Sequence, residues 1–254
     1  MDRHETAVVH ARALVAASVK IGPCAVIESD VEIGGRSEIG AHACVKRFTC
    51  LGADNIVHEG AVLGGEPQDV SYAECESFLR IGERNRLREH VTLHRGTQPG
   101  SETRVGSDCF IMAGAHLAHN CKVGDRVIMA NHVALAGYVE VGDGAFIAGG
   151  AMVHQFTRIG RLAMVGGMSK IVQDCLPFSI TDGRPARACG LNVVGLRRAG
   201  FASNKIRVLK QAYRILLRSN LSLESAIDQM NELQDPTVNE LVEFVRDTKR
   251  GFCH

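Results

Sequence analysis

The sequence predicts an all-β parallel β-helix followed by a small C-terminal α-helical domain, on three observations. The first is a strict period of six. From Val9, steps of six land on Val15, Ile21, Ile27, Ile33, Ile39, Val45, Leu51, Val57 and Leu63. The same phase returns at Ile81, Leu87 and Leu93, then runs from Val105 through Ile111, Leu117, Val123, Met129, Leu135, Val141, Ile147, Val153, Ile159 and Val165 to Ile171. A helix repeats at about 3.6 residues and a strand at about 2.0, so neither produces a six. The second observation is what surrounds the aliphatic residue: glycine often follows it, as at Gly22, Gly106 and Gly142, and a small or β-branched residue sits four positions on, as at Ala25, Ala115 and Val133. The third is a change to helical spacing beyond Leu191.

Hexapeptide repeats of this kind stack as coils. Three hexapeptides, or eighteen residues, make one triangular turn, with each aliphatic residue pointing into the prism. Neighbouring coils lie about 4.8 Å apart, the spacing of hydrogen-bonded strands. A single coil buries no core, so stability comes from stacking.

The phase breaks at Asp69 and Cys75, within GGEPQDVSYAECESF, and at Pro99, within GTQPGSE. Both interruptions keep the count modulo six, which predicts loops thrown outward between intact coils. Pro177 then ends the repeat, and ITDGRPARACGLN reads as a linker with Gly and Pro punctuation. Beyond it, Ile206, Leu209, Tyr213, Leu216 and Leu217 form a stripe at helical spacing. Residues 221–233 and 237–248 read as further helices, entered at Ser222 and Pro236. The expected domains are 1–190 for the coil and 191–254 for the helical part.

Composition narrows the function classes. The 254 residues carry a net charge of +1, which argues against a general polyanion binder and hence against nucleic acid as partner. Nine cysteines without a CxxC pair suit reduced thiols in the cytoplasm, with Cys109 and Cys121 on small inward positions. The N-terminal stretch lacks the features of a signal peptide, because acidic residues sit at its head and the repeat is already running at Val9. No apolar run approaches the ~20 residues that span a bilayer, so no integral membrane segment is expected. Between Leu196 and Asn220 lie Arg197, Arg198, Lys205, Arg207, Lys210, Arg214 and Arg218 with no acidic residue. Such a run is either a solvated helix face or a docking surface for an acidic partner.

Histidines mark the chemistry, since their unperturbed pKa lies nearest neutrality. Adding eighteen moves one coil along the same face, so His119 stacks with Gly137 and Gln155, and Ala118 with Ala136 and His154. If the loop around Pro99 inserts six residues, His94 falls one coil below Ala118. One corner then gathers His94, His119, Gly137, His154 and Gln155. Two chemistries are open to such a group. Zinc needs three ligands at about 2.0–2.1 Å, and is disfavoured because no carboxylate-supported triple histidine is found. General-base catalysis needs one histidine and a donor for developing negative charge, which His119 and the Gly137 N–H would supply. His4, His10, His42, His58 and His254 read as a surface ladder.

IGERNRLREHVTLHRGT, GAHLAHNC, LAGYV, VHQF, VGGMSKIVQDCLPF and GLNVVGLRRAGF, in that order, closely resemble the UDP-N-acetylglucosamine O-acyltransferases of lipid A biosynthesis, over nearly the whole chain. The resemblance implies a left-handed coil, a homotrimer and no metal or other cofactor. It implies transfer of a 3-hydroxyacyl chain from acyl carrier protein to the 3-hydroxyl of a UDP-linked N-acetylglucosamine. By position, His119 would be the general base and Gly137 the oxyanion donor. Asp69, His94, His116 and Gln155 would contact sugar or acyl groups, and Asn192 and Arg198 the nucleotide or phosphopantetheine arm. Gly167 would be the chain-length ruler, left open for a longer acyl chain. The basic run then gains an acidic partner in the carrier protein.

Five positions depart from the family pattern: Ser71 for Lys, Asn120 for Asp, Tyr138 for His, Val194 for Glu and Ala199 for a basic residue. A neutral amide at 120 can orient an imidazole while stabilising its protonated form less. These departures leave two rivals: an N-acyltransferase acting on a 3-amino UDP-sugar, and a non-catalytic paralogue that binds carrier protein or nucleotide.

Overall fold

The computed structural model describes residues 2–254 and resolves the six-residue period into three walls of parallel strands. Along most of each wall, hydrogen-bonded neighbours are three strands apart in sequence, as one triangular turn requires. In the second wall Leu117 pairs with Leu135, and Leu135 with Val153, in steps of eighteen. Leu63 pairs with Leu93 and Leu93 with Leu117, so the loops between them add twelve and six residues, with the register shifting by a bulge between Leu63 and Gly65 where the first loop leaves. The predicted outward loops are therefore present.

Inward positions form a continuous column. Leu63, Leu93, Leu117 and Leu135 are fully buried, and Ala61, Ala115, Ala145 and Ala163 fill the narrow places beside them. Several polar side chains also point inward and bond a turn carbonyl. Asn55 Nδ2 donates to the Gly52 and Gly82 oxygens at 2.8 Å, and Asn85 Nδ2 to Gly106 at 3.0 Å. Cys109 and Cys121 do the same through sulfur, to Gly124 at 3.1 Å and Ala136 at 3.2 Å. Burial pushes the Cys121 thiol up to about 12, which suits a packing group and not a nucleophile.

The corners use a turn whose second residue adopts the left-handed conformation without being glycine, as at Asn120 (φ 59°), Tyr138 (φ 61°) and Phe156 (φ 62°). The stacking holds them there: the Tyr138 N–H donates to the His119 carbonyl and the Phe156 N–H to the Gly137 carbonyl, both at 3.1 Å.

One expectation is overturned. Residues 179–191 are a hairpin and not a linker. Ser179–Gly183 joins the first wall beside Met164–Val165, and Ala186–Leu191 returns antiparallel to it. The Gly and Pro signals mark the turn between these strands, and the phase was lost because Met164 pairs with Ile180, sixteen residues on.

Four helices follow: α1 (Val193–Arg198), α2 (Ser203–Arg218), α3 (Leu223–Asn231) and α4 (Pro236–Arg246). Ser222 Oγ accepts the Ser225 N–H at the start of α3, and Asp235 caps α4 beside Pro236. Ile206, Leu209 and Tyr213 pack with Leu241, Val242 and Val245 over Leu176 and Phe178. Leu216 and Leu217, expected in the same stripe, are half-buried. Asp174, almost fully buried, ties the last coil to the helices by accepting from the Arg158 N–H (2.8 Å), Arg158 Nε (2.9 Å) and Thr248 Oγ1 (2.9 Å). Among the described residues, no helix is long and apolar enough to cross a membrane.

Candidate active site

Each turn at the corner between the second and third walls contributes two outward residues, so stacking builds two columns. The first holds His119, Gly137 and Gln155; the second holds Asn120, Tyr138 and Phe156. Both long loops leave from this same corner, bringing Asp69 and Thr97 beside the columns.

His119 is 9% exposed, with its ring lying flat against the coil of Gly137. A methyl group on Gly137 would come within 2.5 Å of the imidazole Cε1 and 2.7 Å of Nε2, so glycine is required for close approach. His119 Nδ1 lies 3.0 Å from Asn120 Oδ1. That oxygen also accepts the Thr97 N–H at 3.1 Å, which identifies it as the amide's carbonyl end. An amide oxygen only accepts, so Nδ1 carries the proton. In the neutral ring Nε2 then holds the lone pair, with Asp69 Oδ2 4.0 Å away. Tyr138 sets its ring edge-on to the imidazole at 5.4 Å, and stacks on Phe156 at 4.9 Å, one coil further.

The Gly137 N–H has no acceptor among the described residues. Asp69 is fixed by its neighbour: Ser71 donates its N–H (2.9 Å) and hydroxyl (2.7 Å) to Oδ1, which holds the carboxyl below its usual range. His116 projects from the second wall and bonds Thr92 Oγ1 at 2.8 Å. Burial, with His94 adding to it, pushes His116 down to about 4, so it is neutral near pH 7. His94 lies edge-on to His116 at 5.1 Å, is bonded to the Glu66 carbonyl, and is also lowered by burial. His154 and Gln155 are exposed at the end of the group.

A cleft of about 480 Å³ joins these residues along the second wall, lined by His116, His119, Gly137, His154 and Gln155. It also includes Gln68, Met152 and Lys170, which sequence reasoning missed. Met152 and Lys170 could have been found by the same step of eighteen taken from His116 through Ala134. Thr97 was also missed, because a loop position has no place in the repeat.

Three expected site residues lie elsewhere in the chain. Gly167 is at the corner between the first and second walls, exposed, with only the Gly149 oxygen and the Ala148 methyl near its open side. Asn192 is at the third corner, where its Nδ2 donates to the Leu162 carbonyl (2.9 Å) and its Oδ1 caps α1 at Gly195 (3.0 Å). Arg198 is exposed at the end of the same helix. Among the described residues, the group of side chains at metal-ligand spacing is His58, Glu59 and Glu89, on the corner of Gly167 and not in the cleft. There Glu89 is already held by Arg88 at 2.7 Å.

Residues 102–137 match the family described as bacterial transferase hexapeptide (six repeats), and residues 174–253 the one described as UDP N-acetylglucosamine O-acyltransferase, domain 2. An acyl-[acyl-carrier-protein]–UDP-N-acetylglucosamine O-acyltransferase of Syntrophobacter fumaroxidans is 44% identical over 99% of both chains. One of the same name from Paraburkholderia phymatum is 43% identical, over 98% of this chain and 97% of the relative. Among solved structures, the UDP-N-acetylglucosamine acyltransferase of Bacteroides fragilis superposes with a TM-score of 0.96 at 33% identity, and that of Campylobacter jejuni with 0.94 at 34%, each covering 99% of both chains. With this identity over nearly the whole length of both chains, and the same fold from the coil to the helical end, the chain belongs to the acyl-[acyl-carrier-protein]–UDP-N-acetylglucosamine O-acyltransferase family of enzymes.

Proposed function

We propose that the chain transfers a 3-hydroxyacyl group from acyl carrier protein to the 3-hydroxyl of UDP-N-acetylglucosamine, the first step of lipid A biosynthesis, with His119 as general base. The observation that carries this is the pairing of an open Nε2 with an unpaired amide one coil away. His119 Nε2 takes the proton of the sugar hydroxyl as its oxygen attacks the thioester carbonyl. The Gly137 N–H receives the oxyanion of the tetrahedral intermediate. On collapse the C–S bond breaks, and the imidazolium returns its proton to the departing phosphopantetheine thiolate. A thioester is already activated, so a base and one preorganised donor suffice, and no metal or cofactor takes part.

Asp69 and His94, with neutral His116, would hold the acceptor sugar, and Gln155 the acyl group near the reacting carbonyl. Ala134 and Met152 offer the chain an apolar track, and open Gly167 marks its far limit. The exposed basic face from Arg197 to Arg218 suits an acidic carrier protein. Among the described residues Lys205 alone in that run has a carboxylate partner, Asp235 at 3.9 Å.

The site is completed by assembly. Asn192 and Arg198 cannot serve the His119 cleft of their own chain from the third corner, so they are assigned to a neighbour's cleft in a homotrimer. The outer faces support this. Charged Lys20, Glu38 and Arg86 face out from the early coils of the first wall, but its later coils present Phe110, Ile128, Phe146 and Met164; the second wall presents Ala134 and Met152 beside His116 and Lys170, and the third Glu32, Arg80, Arg104, Lys122 and Glu140. An apolar stretch on the first wall and a charged third wall fit a closed ring with the charged faces outward. This reading takes the coil as left-handed, residues 1–190 as the acyltransferase domain and 191–254 as the helical domain, in the cytoplasm.

The test is incubation with 3-hydroxyacyl carrier proteins of several lengths and either UDP-N-acetylglucosamine or its 3-amino analogue, followed by mass spectrometry. The expected product is an alkali-labile ester of the first sugar. An alkali-stable amide formed only with the second would overturn the acceptor, and binding without turnover would overturn the enzyme.

A further inference from the structure

We propose that Thr97 and Tyr138 are positioning residues that lock His119 in its Nδ1–H tautomer by fixing the orientation of the Asn120 amide, an inference resting on His119 as the base. A carboxylate beside Nδ1 needs no such lock, because either oxygen accepts. An amide does. Rotated by half a turn, Asn120 would present its NH₂ to Nδ1, the ring proton would move to Nε2, and the nitrogen facing the cleft would lose its lone pair.

The surroundings oppose that rotation. Asn120 Oδ1 accepts from the Thr97 N–H (3.1 Å) and from Thr97 Oγ1 (3.0 Å) as well as from His119. Since the Thr97 hydroxyl spends its proton there, Tyr138 Oη must be the donor in the 3.2 Å contact with Thr97 Oγ1. The order of donation is therefore fixed from Tyr138 to Thr97 to the Asn120 carbonyl, with His119 Nδ1–H converging on the same oxygen. A rotated amide would set its NH₂ against two donors. The Asn120 N–H is itself anchored to Thr103 Oγ1 at 2.7 Å, so the side chain pivots from a fixed base. Among the described residues no other side chain bonds Nδ1: Asp69 faces Nε2, and Tyr138 meets the ring by its edge. Two of the five departures from the family pattern, Asn120 and Tyr138, thus belong to one network. The loss of a carboxylate at 120 is offset by a hydroxyl at 138, acting through Thr97.

The test reads the His119 tautomer by long-range ¹H–¹⁵N correlation of the imidazole, beside steady-state kinetics. The wild type should show Nδ1–H. Thr97→Val, which keeps the shape and removes the hydroxyl, should give a mixture with Nε2–H and lower kcat about tenfold, with both KM values within about twofold. Tyr138→Phe should act in the same direction and less, and as a substitution at the exposed edge it also covers a Thr97 variant that fails to fold. Adding Asn120→Asp to Thr97→Val should restore both Nδ1–H and kcat. Wild-type spectra and kcat in the single variants, a change in KM alone, or failure of the double variant to recover would overturn the proposal. A shifted tautomer with unchanged kcat would instead keep the lock and remove His119 from the role of base.

Discussion

At the corner between the third and first walls, the first turn residues of two successive coils, Asp125 and Asp143, each lend a carboxylate to the coil before. Asp125 Oδ1 accepts the Ser107 N–H at 2.8 Å, and Asp143 Oδ1 accepts the Asp125 N–H at 2.9 Å. The second turn residues pair across coils as well, Arg36 with Asp54 and Arg84 with Asp108. At the corner proposed as catalytic the same backbone turn carries His119, Gly137 and Gln155, and among the described residues the Gly137 amide has no acceptor. The difference is one of withheld satisfaction. Where the fold caps its amides, the corner is structural. Where a glycine makes room for an imidazole and the next side chain does not reach back, a donor remains for a substrate oxyanion.

The comparison can be broken or sharpened by four substitutions. His119→Ala should cause the largest effect, a loss of roughly a thousandfold in kcat, given what a positioned base contributes; a loss below tenfold would return the catalytic corner to the structural class. Gln155→Asp copies Asp143 onto the catalytic corner. The new carboxylate should cap the Gly137 N–H, lower kcat by about tenfold beyond Gln155→Ala, and stabilise the fold by about 0.5–1 kcal/mol in denaturant titration. Asp125→Ala does the reverse at the structural corner. It should cost about 1 kcal/mol of stability by uncapping Ser107, and leave kcat unchanged.

The fourth substitution tests pH dependence. The folded His116 binds its proton at about 4, the unfolded residue at about 6.5. Between those values the unfolded chain takes up a proton that the folded chain refuses, so stability falls as pH drops from about 6.5 towards 4. Above that window the residue adds no pH dependence. His116→Asn should flatten the decline in melting temperature over that range; an unaltered slope would mean that its burial is not felt.

Much of this was legible in the chain itself. The step of eighteen placed Gly137 and Gln155 on the column of His119, and modulo-six counting put His94 below Ala118 across the short loop. Neither depends on recognising a family. Three things escaped for physical reasons. The hairpin after Pro177 looked like a linker because its pairing offset of sixteen left the phase. Thr97 sits in a loop, where a repeat assigns no neighbours. Asn192, Arg198 and Gly167 came from the resemblance alone, and they lie at other corners, where steps of eighteen from His119 do not lead. The left-handed turn residues were also unreadable: Asn120, Tyr138 and Phe156 adopt that conformation because the coil before each one accepts its N–H, a cause that lies outside its own hexapeptide.

The two insertions hang from the corner of His119, and strands on either side of them still pair: Val62 meets Thr92, with one bulge between Leu63 and Gly65, and Leu93 meets Leu117. The ladder is indifferent to what lies between its rungs. If Asp69 holds the acceptor as proposed, residues such as Ser71 and Asp69 can be edited while the folding problem stays solved, which makes this one edge the cheapest place in the molecule for a new specificity to arise.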